Sequence, residues 1–145
     1  QQLLAMRQHN IGRFFQRAAR DYSELALQKL HERGYNLTLF HTALISNLDI
    51  EGNNIQTLAD RAGISKQAMG QLVKELEQQG FITRQPDPDD KRATIIQFTE
   101  SGWQALRDSY EVKLEIEAEY TAKLGEDGII QLRQLLQLLL EESGD

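Results

Sequence analysis

The chain has 145 residues, a formal net charge of −6 and no cysteine. This is the length of one domain with room for a sizeable core, and the lack of thiols excludes sensing by cysteine oxidation. No signal peptide is recognisable and no apolar run is long enough to span a bilayer, which points to a cytoplasmic protein without a membrane partner. The first residue is Gln rather than Met, so further residues are expected to precede it.

Leu4, Ile11, Phe15, Ala18, Tyr22 and Leu25, with Phe14 and Ala19 beside them, recur at helical spacing. They predict one long amphipathic helix running to about Arg33 and closed by Gly34. A helix so much longer than average either spans subunits or roofs the core. Thr38 is placed to cap a second helix carrying Leu39, Leu44, Ile45 and Leu48. Residues 49–53 form a turn, and Asn54 is the expected cap of the third helix.

That third helix offers a small apolar face of Leu58, Ala59 and Ala62 and stops at Gly63, while Ser65 caps the next. Helix, glycine-containing turn and capped helix make a helix-turn-helix. On its second helix Ala68, Leu72 and Leu76, with Met69 and Val73 beside them, are expected to face the domain. Gln67, Gly70, Gln71, Lys74 and Gln78 fall opposite, a long-armed polar face with Glu77 at its edge and Glu75 off it. Gln can bond adenine bidentately in a major groove, and Lys can reach guanine edges or phosphates. By itself this face is equally that of a solvated helix.

Two strands are expected next, over residues 81–84 and 93–98, joined by a turn built from Pro86, Asp87, Pro88, Asp89 and Asp90. Lys91 and Arg92 stand where the second strand begins. A basic hairpin after a helix-turn-helix is a wing, able to lay an Arg into a minor groove. Asp90 is placed to pair with the Arg92 guanidinium and direct it. A turn with idle charges is the plainer alternative.

Helix returns after Thr99, with Trp103, Leu106, Tyr110, Leu114, Ile116 and Tyr120 apolar, an interruption at Gly125, and a last segment IIQLRQLLQLLL. This segment is apolar around much of its circumference and too short to span a membrane. One small chain cannot bury all of it, so the economical explanation is a homodimer of intertwined terminal regions. A single wrapped core helix is the alternative. The net charge by itself argues against a nucleic-acid partner, but it is uneven: residues 1–52 carry about +1, residues 53–99 about zero and residues 100–145 about −7. Lys66, Lys74, Arg84, Lys91 and Arg92 should therefore share a face with a favourable local field.

The run DPDDKRATIIQFTESG resembles the wing signature of MarR-type winged-helix transcriptional regulators, with Asp90, Arg92, Phe98, Thr99 and Gly102 in its positions. Phe98 stands where the family usually has Leu. LADRAGISKQAMGQLVKELEQQGFITR is similar to the family's helix-turn-helix in order and length. The resemblance covers the central third of the chain closely and the flanking helices in layout. It implies a single, mainly α domain with a small β-wing: a winged helix-turn-helix over residues 38–99, with dimerisation helices in residues 1–34 and 100–145. It also implies a one-residue strand at Ile55 against the wing.

The expected activity is sequence-specific binding of double-stranded DNA by a homodimer, as a repressor, on an imperfect palindrome with half-sites roughly 34 Å apart. Gln67, Gln71 and Lys74 are expected to read base edges, and Ser65 and Lys66 to hold phosphates at a helix N-terminus. Arg92 would enter the minor groove with Asp90 orienting it, and Arg84 and Lys91 would touch backbone. The resemblance further implies release by a small aromatic or anionic effector in a cleft between dimer helices and winged domain. His9, Arg13, Phe14, Arg17, His41 and Trp103 are candidates for lining it.

His9, His31 and His41 are dispersed and no Cys completes a zinc set, so no metal is expected. No glycine-rich phosphate loop or nucleophile motif suggests an enzyme or a cofactor. The reading from a different class is a winged-helix module for protein–protein assembly, which salt would not titrate away as it would a DNA contact.

Overall fold

The computed structural model describes residues 1–141. Among them are seven helices and one two-stranded sheet, in the order α1 (Gln2–His9), α2 (Ile11–Glu32), α3 (Leu39–Asn47), α4 (Ile55–Ala62), α5 (Lys66–Gln78), β1 (Ile82–Pro86), β2 (Thr94–Phe98), α6 (Glu100–Leu124) and α7 (Glu126–Glu141). The fold is mainly helical with a small β-wing, as the sequence implied.

The single helix expected from Leu4 to Arg33 is instead two helices. Asn10 is extended (φ −72°, ψ 143°), and its Oδ1 accepts the Arg13 N–H at 2.8 Å. Its Nδ2 donates back to the carbonyls of Met6 and Arg7. A short amide that satisfies both helix ends competes well with a continuous helix.

Thr38 does cap α3, through a reciprocal box. Its Oγ1 accepts the His41 N–H at 3.3 Å, and His41 Nδ1 accepts the Thr38 N–H at 3.1 Å. The role usually given to a Glu at this position is here an imidazole's. α3, α4, α5 and the hairpin enclose the main core, where Leu44, Leu58, Met69, Val73 and Leu76 are fully buried.

β1 and β2 pair antiparallel in the register Ile82↔Phe98 and Arg84↔Ile96. Ile82, Ile96 and Phe98 point into the core. Pro86 takes the last place of β1, whose one partner strand among the described residues is β2. The isolated bridge against the wing is made by Asn53, which exchanges both hydrogen bonds with Ile96. Ile55, expected there, is already the first residue of α4, because Asn54 spends its side chain capping Thr57.

A second cluster joins α2 to α6 through Leu30, Val112 and Ile116. Beside it Arg33 reaches Glu111 and Glu115 at 2.6 Å each and Asp108 at 3.4 Å. Lys29 adds Glu119 at 3.1 Å. Four acids of α6 are thus spent on Lys29 and on Arg33, the residue that closes α2.

No side chain of α1 or α7 is buried. Leu3, Leu4, Met6, Ile11 and Phe15 at one end, and Leu132, Leu135, Leu138, Leu139 and Leu140 at the other, remain exposed in the single chain. No helix of the described residues is long and apolar enough to cross a membrane.

Candidate nucleic-acid interface

The α4–α5 unit is built by three local devices. Asn54 caps α4, and Gly63 turns the chain in the left-handed region (φ 68°) while its N–H closes α4. The Oγ of Ser65 then accepts the Ala68 N–H at 3.0 Å. That bond uses the hydroxyl as acceptor and leaves its own hydrogen to donate.

On α5 the buried stripe is Met69, Val73 and Leu76. Ala68, expected inside, is exposed, and Leu72 is half-buried. The apolar stripe is rotated by one residue because Met69 and Val73 sit at its centre rather than its edge. Lys66, Gln67, Gln71, Lys74 and Gln78 are all exposed. Gly70 brings no backbone unusually close: a Cβ there would meet Ile55 Cδ1 at an ordinary 3.6 Å.

A groove of about 560 Å³ lies between the start of α4, the start of α5 and the hairpin. It brings together Lys66, Arg84 and Arg92, three cations from three elements, with Asn54, Gln56 and Thr94. Asn54 and Gln56 are additions that sequence reasoning missed. Their signal was available, since the first turn of a capped helix presents polar groups to any anion the second helix binds.

Arg92 is oriented differently from the expectation. Asp90 Oδ1 accepts the backbone N–H of Arg92 at 3.0 Å, and Asp87 Oδ1 accepts that of Asp89 at 2.9 Å. Asp90 therefore shapes the turn instead of gripping the guanidinium, because a carboxylate on a single methylene reaches a nearby backbone amide more readily than a long arm's end. Among the described residues the Arg92 guanidinium has no hydrogen-bond or ion-pair partner, and neither do the ammonium groups of Lys66, Lys74 and Lys91. Arg84 does have one, Glu77 at 3.3 Å.

Behind this face lies a polar link. His41, 6% exposed, places Nε2 at 2.6 Å from Glu75 Oε2, while Glu75 Oε1 accepts from Gln71 Nε2 at 3.3 Å. The bond from His41, and then that from Gln71, hold the Glu75 carboxyl below its usual range.

A separate apolar cavity of about 330 Å³ opens between α2, α3 and α6, lined by Tyr22, Ala26, Leu30, Ile45, Ser109 and Val112 among others. None of the six residues expected to line an effector cleft reaches it. His9, Arg13, Phe14 and Arg17 are exposed along α1 and α2. His41 is turned to Glu75, and Trp103 packs on Phe98 with ring centroids 4.9 Å apart. Among the described residues no cluster of His, Asp and Glu is arranged to hold a metal.

Comparison with known proteins agrees with this geometry. A family model described as "MarR family" matches residues 35–93. The uncharacterized HTH-type transcriptional regulator YkoM of Bacillus subtilis (strain 168) is 30% identical over 104 residues, which are 71% of this chain and 66% of that protein. The transcriptional repressor MprA of Escherichia coli (strain K12) is 36% identical over 81 residues, 54% of this chain and 46% of its own length. The matches thus span about half to two thirds of these relatives. Apo wild-type MarR from E. coli superposes with a TM-score of 0.79 at 19% identity, over 91% of this chain and 97% of that one. The helix-turn-helix, the wing and these likenesses together place the chain in the MarR family of winged-helix proteins.

Proposed function

We propose that the chain is a transcriptional regulator that binds double-stranded DNA sequence-specifically as a homodimer, acting as a repressor in the cytoplasm. One observation carries the reading. Among the described residues Lys66, Lys74, Lys91 and Arg92 have no hydrogen-bond or ion-pair partner, and Lys66 and Arg92 line the groove at the start of α5, the helix that exposes Gln67, Gln71 and Lys74. Lys29, Arg33, Arg61 and Arg133 are held by carboxylates, and the guanidinium groups of Arg7, Arg13, Arg17 and Arg20, unpaired among the described residues, lie on α1 and α2, outside this groove. Cations left free beside a polar helix face suit phosphate contacts, with Gln67, Gln71 and Lys74 reading bases. Ser65, Lys66 and Arg84 would hold backbone, and the wing would carry Arg92 to the minor groove.

The dimer reading is supported by the exposed apolar faces of α1, α2 and α7. A monomer rarely leaves so many large apolar side chains exposed along its terminal helices. The name of its relative MprA supports repression. The cavity between α2, α3 and α6 suits a small, largely apolar effector, aromatic or singly anionic, with Lys113 its one cationic lining residue. Such a molecule relieves binding only if it prefers the arrangement of α3 and α5 that cannot grip DNA.

The test is selection from a random duplex pool at two salt concentrations. The expected result is an enriched imperfect palindrome whose binding weakens steeply with salt. A folded dimer that enriches nothing would move the protein to the assembly-module class.

A further inference from the structure

We propose that Glu75 is a specificity-determining positioning residue. Backed by His41, it fixes the rotation of the Gln71 amide so that Gln71 prefers adenine to guanine. This deepens the reading of α5 as the DNA-reading helix and rests on it.

The link starts at a place unrelated to DNA, the capping box of α3. There the Thr38 N–H donates to His41 Nδ1 at 3.1 Å. A ring nitrogen that accepts carries no proton, so the proton of the neutral imidazole is on Nε2. Nε2–H therefore donates to Glu75 Oε2, 2.6 Å away. The ring cannot swing, because it is buried and its other nitrogen is tied to the backbone of its own helix. One carboxylate oxygen of Glu75 is thus anchored by a rigid donor from another helix.

The second oxygen, Oε1, accepts one N–H of Gln71 at 3.3 Å. Reversing the Gln71 amide would set its Oε1 against the carboxylate, two acceptors with no proton between them. The observed rotamer leaves outward one carbonyl oxygen and one N–H. Adenine presents N7 as acceptor and N6–H₂ as donor, which this pair matches. Guanine presents two acceptors, N7 and O6, and would meet one donor and one repelling oxygen. An amide free of Glu75 could turn its NH₂ to guanine instead. The negative charge of Glu75 adds nothing to phosphate affinity; what its carboxylate does on α5 is accept from His41 with one oxygen and from Gln71 with the other.

The experiment is selection from a random duplex pool with the parent, Gln71→Ala, Glu75→Ala, Glu75→Gln and the double variant Gln71→Ala/Glu75→Ala, with folding checked by circular dichroism. The parent is expected to prefer adenine at one position of each half-site, and Gln71→Ala to lose that preference. Glu75→Ala should reduce the adenine-over-guanine preference there by about tenfold, within the discrimination one bidentate contact supplies. Other positions should be unaffected, and the double variant should match Gln71→Ala at that position. Glu75→Gln keeps the bulk but has one acceptor for two donors, and should act in the same direction if Glu75→Ala does not fold.

A loss spread evenly over all positions would mark Glu75 as merely structural and overturn the proposal. So would a full adenine preference retained by both Glu75 variants. If the parent enriches a palindrome in either case, the failure belongs to the link alone. A folded parent that enriches nothing overturns the DNA reading and this proposal with it.

Discussion

A Cβ built on Gly102 would lie 1.9 Å from the carbonyl oxygen of Phe81. The first turn of α6 thus rests directly on the backbone at the base of the wing. Thr99 completes the joint, its Oγ1 donating to the Gly80 carbonyl at 2.5 Å and accepting the Gly102 N–H at 3.1 Å. The Thr-x-x-Gly spacing is therefore a weld between wing and long helix. Gly102→Ala must push one of two backbones away and should destabilise the fold by about 1–3 kcal/mol. Urea unfolding would measure it, and an unchanged midpoint would mean the joint is slack.

Tyr35, in the segment between α2 and α3, donates its hydroxyl to Asp108 of α6. Burial, and next that bond, push its phenol up to about 12. The unfolded phenol titrates near 10, so the folded state holds the extra proton between those values. Its stabilising contribution is whole below about pH 10 and is lost as pH rises towards about 12. Tyr35→Phe should flatten part of the alkaline fall in stability. Tyr22 and Tyr120, also raised mainly by burial, leave the remainder.

Asp49 shows the opposite sign. Its carboxyl accepts from both guanidinium nitrogens of Arg61 at 3.0 Å, and that interaction, then Asn53, lowers its pKa. A depressed carboxyl contributes stability at neutral pH that disappears as pH falls through its folded value, below about 4. Asp49→Asn should shallow the acid limb of the pH–stability curve and leave the alkaline limb unchanged. An unaltered acid limb would remove the Asp49–Arg61 pair from the account of α4's anchoring.

The two DNA-facing roles should separate by substitution. Arg92→Ala should weaken binding to all sequences alike, whereas Gln71→Ala should lose about 1–3 kcal/mol chiefly on preferred sites. Equilibrium titration of one selected and one scrambled duplex distinguishes them. Equal losses on both duplexes for Gln71→Ala would take base reading away from it.

The helix-turn-helix and wing were legible because their signals are local: Asn54, Gly63 and Ser65 each act within three or four residues of themselves. The break at Asn10 was not, since the apolar rhythm of Leu4, Ile11 and Phe15 runs through it and periodicity does not register a cap. The stripe on α5 was misplaced by one residue because apolar side chains at 68, 69, 72, 73 and 76 fit two faces nearly equally. Asp90 was given the wrong partner, a guanidinium in place of the adjacent amide. His41 and Glu75 are 34 positions apart, and the apolar cavity takes its walls from three helices, so neither leaves a local trace.

The most direct measurement of DNA binding through this face is salt dependence. The parent and the variant Lys66→Ala/Lys74→Ala/Arg92→Ala would be titrated with the same selected duplex over a range of salt. Each phosphate contact contributes roughly 0.9 to the slope of log affinity against log salt. Binding through the α5–wing face requires the variant's slope to be clearly shallower and its affinity lower at low salt. An equal slope and affinity in both proteins would mean that DNA, if bound at all, is held elsewhere.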